Sequence, residues 1–245
     1  MSIWSELPIT RRAAVMVLLF RSSQKYHVVL TRRASNMGSF AGHVALPGGK
    51  CDPEDGVGDS AAFATAKREA FEEIGIKDGI VPLDLLPPYL SRNLLAVRPA
   101  LMFLSGARSE LDSRGIPVDL KLMLNPDEVE SAFSCALDDL LVPDAYPNWY
   151  SSKVTNWSGM PNYRMHTFTT PSGYEIWGLT ARILLDTARI LIGREPAFPV
   201  SRTIGDEDLI TLLHKRGKLP EKRIVRKDVT LRFDNVLTPD EIARL

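Results

Sequence analysis

Apolar positions change their spacing from segment to segment along this chain, and the spacing predicts the elements. Residues 13–20 are apolar without interruption, the pattern of a strand buried on both faces. A polar stretch over 21–25 turns the chain, and 26–31 returns as a second strand, so a hairpin is expected. The polar, glycine-rich residues 33–43 read as a loop; Val44, Ala45 and Leu46 then form a short strand leading to a turn at Gly48 and Gly49. Helical spacing follows, with Phe63, Ala70 and Ile74 on one face, Asp59 or Ser60 as the N-cap and Gly75 as the stop. Residues 81–90 and 95–104 are strand candidates, and Pro82, Pro87 and Pro88 push the first toward a sheet edge.

The charged stretch 107–124, with Gly115 and Pro117, reads as a long excursion. Residues 125–130 open a strand over 133–136 and a short helix over 137–141. Two further strands, 163–169 and 174–177, flank Thr170-Pro171-Ser172-Gly173, a hairpin signal. Residues 179–192 then repeat with helical period and stop at Gly193. That helix should cover one face of the sheet and the earlier helix the other. The expected class is therefore α/β in the α+β sense, a mixed β-sheet sandwiched between helices. Pro196 and Pro199 mark a change of composition, which divides the chain into a main domain over 1–200 and an extension over 201–245, with a helix over 206–216.

Composition narrows the function. With 245 residues and 44% hydrophobic content the chain can bury a full core. Thirty basic and thirty acidic side chains cancel, so neither nucleic acid nor an anionic membrane is an expected partner. The longest apolar run, 13–20, is far short of a membrane span, and no secretory segment is evident. Cys51 and Cys135 form no CxxC pair or disulfide framework, which fits a reducing compartment. Lys215, Arg216, Lys218, Lys222, Arg223, Arg226 and Lys227 cluster in the extension. They read first as solvated surface with a few salt bridges; the rival is a cationic lip for a phosphorylated substrate.

The candidate chemistry lies on the first helix. At about 100° per residue, Glu69, Glu72 and Glu73 fall in one narrow sector. Like charges one turn apart cost ~0.2–0.5 kcal/mol per pair, and a hard divalent cation such as Mg²⁺ relieves them. Taken alone, such a triplet is more often a solvated acidic face. Its context says otherwise: Pro47-Gly48-Gly49 bends the chain upstream and lets backbone approach a ligand. Those glycines followed by Arg68-Glu69-Ala70-Phe71-Glu72-Glu73-Ile74-Gly75-Ile76 resemble the Nudix box, completely so over 68–76. The gap between Gly49 and Arg68 is longer than in the general pattern, so Gly56-Val57-Gly58 looks like an insertion and the loop carboxylate is Asp55 or Asp59.

A second resemblance is narrower. Residues 30–52, from Leu30-Thr31-Arg32-Arg33 to Leu46-Pro47-Gly48-Gly49-Lys50-Cys51-Asp52, are similar to the segment that precedes the box in coenzyme A diphosphatases. Asn125-Pro126-Asp127-Glu128-Val129 and Ile176-Trp177-Gly178-Leu179-Thr180 are typical of the same group, so the likeness covers 13–192. Ala34, Gly38 and His43 depart from it, Gly38 standing where a basic residue is usual. The resemblance implies Mg²⁺ or Mn²⁺ held by Glu69, Glu72, Glu73 and the Gly49 carbonyl, with Arg68 orienting the glutamates. The catalytic base is Glu69, or Glu128 or Glu130 from a distant loop. Thr31, Arg33 and Lys50 lie where the family handles its ligand, Arg33 being the preferred phosphate contact. The implied reaction hydrolyses coenzyme A or its derivatives to 3′,5′-ADP and 4′-phosphopantetheine. The alternatives are a hydrolase of oxidised nucleoside triphosphates or other nucleoside diphosphate derivatives, and a non-catalytic nucleotide-binding module. Ala243-Arg244-Leu245 matches the small-basic-leucine peroxisomal address, which makes an import receptor an expected partner and the cytoplasm the alternative location. Oligomeric state stays open, a homodimer included.

Overall fold

The structure is a computed structural model and describes residues 2–38, 40–107, 110–224 and 228–245. A short N-terminal helix, α1 (Ile3–Glu6), buries Trp4, whose indole N–H donates to the Ala96 carbonyl at 2.9 Å. The sheet grows from one hairpin. β1 (Arg12–Ser22) and β2 (Lys25–Arg33) join through Ser23 and Gln24, both at positive φ (47° and 65°). That backbone matches the strand twist in a two-residue turn. The strands pair from Leu19 and Val28 to the turn and then part, leaving a gap.

Residues 44–50 fill it. β3 (Val44–Ala45) pairs with Thr31 and Arg32 of β2, and β4 (Gly48–Lys50) pairs with Ala13, Ala14 and Val15 of β1. The expected turn at Gly48 and Gly49 is therefore a strand. Gly48 is needed because β4 runs so close to β1 that a Cβ there would overlap the Ala14 carbonyl and the Val15 backbone.

The first long helix is α2 (Ser60–Ile74), closed by Gly75 at φ 70°. β5 (Ile80–Leu85), β6 (Tyr89–Leu90) and β7 (Ala96–Leu104) follow; β7 lies parallel to β1, and β5 forms the edge beyond it, with an irregularity between Pro82 and Asp84. β8 (Val129–Ala136) pairs along the other edge of β2. A second sheet comprises β9 (Tyr150–Trp157), β10 (Met160–Thr169) and β11 (Glu175–Trp177). The hairpin of β10 and β11 matches expectation. β9 does not, because it lies at the sheet margin, its central residues are exposed, and it carries no apolar alternation.

Strand periodicity divides the core into two layers. Ala14, Met16, Leu18 and Phe20 face α2, which contributes Ala62, Ala66, Ala70 and Ile74. Ala13, Val17 and Leu19 face α3 (Gly178–Ile192), which contributes Ala181, Leu184, Leu185 and Ala188. Helices cover opposite faces of a mixed sheet, as the sequence predicts. The chain beyond residue 200 shares the first layer: α4 (Glu207–Lys215) buries Leu209, Ile210 and Leu213, and Phe233 and Leu237 join them. Arg11 and Asp228, 1% and 7% exposed, pair at 2.8 Å and lock this segment to the start of β1. Arg216 pairs with Glu241 at 2.7 Å and Arg223 donates to the Asn93 carbonyl at 3.1 Å; Arg226 and Lys227 lie outside the described residues. Helix α5 (Pro239–Arg244) ends the chain, with Ile242 and Leu245 against the same layer. Among the described residues no helix is long and apolar enough to cross a membrane.

Candidate active site

Four pieces of chain meet at one end of the sheet: β4, the end of β2, the later turns of α2 and the segment 123–129. Helices leave their last carbonyls without internal partners. Here Ile74 O accepts from Met123 N–H at 2.9 Å and Glu73 O from Asn125 N–H at 3.0 Å. Ala34 N–H donates to Glu128 O at 2.9 Å, and Arg33 sits opposite Val129 in the β2–β8 ladder. Backbone bonds thus bring Glu128 to the glutamates of α2.

The three helix glutamates are not equivalent. Glu73 is 4% exposed and accepts a hydrogen bond from Gly48 N–H at 3.2 Å. Burial pushes its carboxyl up to about 8; the Gly48 N–H and Arg33 pull the other way, while Glu69 and Glu128 add to the rise. Glu69 is also raised by burial, against a hydrogen bond from Arg68 at 2.9 Å. Gly49 packs so tightly on Glu69 that a Cβ would overlap its carboxylate. Glu72 is half exposed and only 3.4 Å from Arg68 Nη1. The single sector of the helical projection is a gradient of depth in the fold.

The loop carboxylate on Arg68 is Asp55. Arg68 Nε and Nη2 each donate to it at 2.9 Å, and Nη2 reaches the Lys50 carbonyl at 3.0 Å. Thr65 Oγ1 donates to Asp55 at 2.7 Å and Asp52 N–H at 2.8 Å. Burial alone would raise Asp55, but the hydrogen bonds from Arg68, the Asp52 backbone and Thr65 outweigh it and hold the carboxyl at about 2. The Asp52 and Asp55 side chains form a capping box, a spacing legible in the sequence but missed there. Asp59 precedes α2 without capping it by its side chain; it accepts from the Ser2 hydroxyl and lies 3.6 Å from Arg98.

The expected ligand residues separate. Arg33 has a buried Nε with no hydrogen-bond partner among the described residues, and its charge acts on Glu73. Lys50 is exposed at the rim. Thr31 is a correction: it is 1% exposed and donates to the Ala45 carbonyl at 3.3 Å, so its hydroxyl ties β2 to β3. Glu130 is a second one, because its carboxylate pairs with Arg32 at 2.5 Å on the exposed side of β8. Glu69 and Glu128 remain as the candidate bases.

Among the described residues no three His, Cys, Asp or Glu side chains converge as a ready cage for an ion. The donor set nonetheless suits a hard cation. Buried Glu73 and half-buried Glu69 supply carboxylate oxygens, with Glu128 close enough to repel both. Mg²⁺ characteristically takes one or two carboxylates and completes its shell with water and substrate phosphate.

A family model described as the NUDIX domain matches residues 10–157. "Nudix hydrolase 15, mitochondrial" of Arabidopsis thaliana is 37% identical over 77% of this chain, which spans 61% of that relative's length. "Peroxisomal coenzyme A diphosphatase 1, peroxisomal" of Saccharomyces cerevisiae is 32% identical over 88% of the chain and 78% of the relative. A Mus musculus peroxisomal coenzyme A diphosphatase is 30% identical over 80% of the chain and 77% of the relative. With the matched region running from the approach to β1 through to the end of β9, and so containing Glu69, Glu72, Glu73, Glu128 and Glu130, this chain belongs to the Nudix hydrolase family.

Proposed function

We propose that this chain is a divalent-cation-dependent diphosphatase that hydrolyses coenzyme A or its derivatives to 3′,5′-ADP and 4′-phosphopantetheine or its acylated form. The observation that carries the reaction class is the meeting of buried Glu73, with half-buried Glu69 one turn before it, and Arg33, whose Nε has no protein partner among the described residues. The names of the yeast and mouse relatives support the substrate. Mg²⁺ or Mn²⁺ held by Glu69 and Glu73, with Glu72 and the Gly49 carbonyl beside them, would offset the diphosphate charge and acidify a bound water. Arg33 binds a phosphate oxygen. Asp55 fixes Arg68, and Arg68 fixes Glu69, so the carboxylates meet the substrate already oriented. Water adds to one phosphorus as the bridging P–O bond breaks. Its proton passes to Glu69 or Glu128, and the departing phosphate leaves as the anion.

The nearest rival is hydrolysis of oxidised nucleoside triphosphates on the same carboxylates. Product analysis on coenzyme A with Mg²⁺ separates them: release of 3′,5′-ADP is expected, and turnover confined to nucleoside triphosphates would overturn the substrate. A peroxisomal location belongs to the same proposal, supported by the yeast and mouse names, while the Arabidopsis name says mitochondrial. Fluorescence microscopy of the tagged chain tests it, and mitochondrial or diffuse signal would count against it.

A further inference from the structure

The loop between β2 and β3 ends in a tight turn that carries two rings, meets a third from β11 and is bonded to the Arg33 backbone. His43 N–H donates to the Phe40 carbonyl at 3.2 Å, and Gly42 takes φ 72° within the turn. Phe40 and His43 therefore flank the bend, with ring centroids 5.6 Å apart and edge to face. Trp177, at the end of β11, brings its ring 5.1 Å from His43. Two backbone bonds fasten the turn to the phosphate-facing residue: Arg33 N–H donates to His43 O at 2.9 Å and Gly42 N–H to Arg33 O at 3.1 Å. Thr180 Oγ1, in the first turn of α3, donates to Val44 O at 3.2 Å and ties the Trp177 side to the same strand.

Nothing in the core accounts for this arrangement. Phe40 is 47% exposed and sits at φ 54°, a left-handed conformation that a bulky side chain adopts at a cost, and neither Phe40 nor His43 belongs to either core layer. An exposed, conformationally costly phenylalanine in a turn bonded to an arginine whose buried Nε has no partner among the described residues calls for a flat partner that also carries phosphate. Base rings stack on aromatic faces and every base has one.

We infer that Phe40, His43 and Trp177 form a stacking platform for the purine base of the substrate, next to the Arg33 phosphate contact. The inference rests on the reading above only in placing phosphate at Arg33. It assigns base recognition to the β2–β3 loop and leaves the bond that breaks to the glutamates.

AMP is the probe, with ribose 5-phosphate as the partner lacking a base; affinity is read by calorimetry on the full chain. The double variant Phe40→Leu, His43→Leu should weaken AMP roughly 5- to 100-fold and leave ribose 5-phosphate within about twofold of native. His43→Phe, which restores a ring, should keep AMP affinity close to native. Unchanged AMP affinity in the leucine variant would overturn the platform. So would an equal loss for both probes, which would mean that the turn merely supports Arg33, and so would a His43→Phe protein as weak as the leucine variant. Coenzyme A turnover is scored separately: absent turnover with base-dependent AMP binding removes the proposed reaction and keeps the platform, and the reverse pattern does the opposite.

Discussion

Beside α3, Asp206 accepts from Arg182 Nη1 and Nη2 at 2.8 and 2.6 Å and from Leu90 N–H at 2.8 Å. Its neighbour Asp186 accepts from the Tyr89 hydroxyl at 2.8 Å and from Arg189 at 3.0 Å. At α2, among the described residues, the deeply buried Glu73 has only Gly48 N–H at 3.2 Å, and nearby Arg33 keeps an unpartnered Nε. Burial is similar: Asp206 is 8% exposed, Asp186 5% and Glu73 4%. What differs is satisfaction. A charge removed from water is tolerable when matched by hydrogen bonds and opposite charge. The α3 network meets that condition from its own side chains and holds the fold. The α2 group does not meet it from the described side chains, and the proposed diphosphate and cation would supply the remainder.

The contrast breaks most sharply at Glu73. Glu73→Gln should lower kcat by more than about 10³-fold in a Mg²⁺ assay while leaving urea stability equal or higher, because a neutral amide is easier to bury. Retained turnover would sink the assignment. Asp206→Ala should do the reverse, costing about 3–5 kcal/mol in urea denaturation by stranding Arg182, with kcat per folded molecule close to native. A smaller effect is expected of Asp55→Asn, which loosens Arg68 without removing a helix carboxylate. A fall of roughly 10–100-fold in kcat, with less than about 2 kcal/mol lost in stability, would place Asp55 as a positioning residue. Full activity would return it to loop structure.

The smallest effect concerns His166, on the β10 side of the molecule. Burial, helped by Arg164, pushes its imidazole down to about 4. The unfolded chain therefore binds its proton first, near pH 6.5. Stability should hold above that pH and decline as pH falls from about 6.5 to about 4. His166→Phe should flatten that part of a melting-temperature profile, and an unaltered profile would remove His166 as its source.

Strands β1 and β2, both long helices and the Arg68–Glu73 constellation were legible because each rests on local signals: uninterrupted apolar residues, helical spacing, a glycine at each helix end. β9 escaped because an exposed marginal strand carries no alternation to read. The choice of Asp55 over Asp59 depended on which carboxylate a folded loop lays against Arg68, and sequence spacing allowed both. Thr31 looked like a ligand residue until β3 was seen to occupy its hydroxyl. Glu128 and Glu130 stand two apart on one segment, and only the pairing of β8 with β2 sends Glu130 to Arg32 and leaves Glu128 beside the site.

By itself, the order of residues determined that a helix here carries an apolar stripe beside three carboxylates, since both follow from periodicity along one stretch of chain. How deeply each carboxylate sits, which basic side chain each meets, and which aromatic rings gather at the turn bonded to Arg33 were decided by β3 and β4 filling the gap between β2 and β1 and by β11 arriving from over a hundred residues away. Depth and partnership are properties of contacts between distant segments, and those contacts exist only once the sheet has closed around its core.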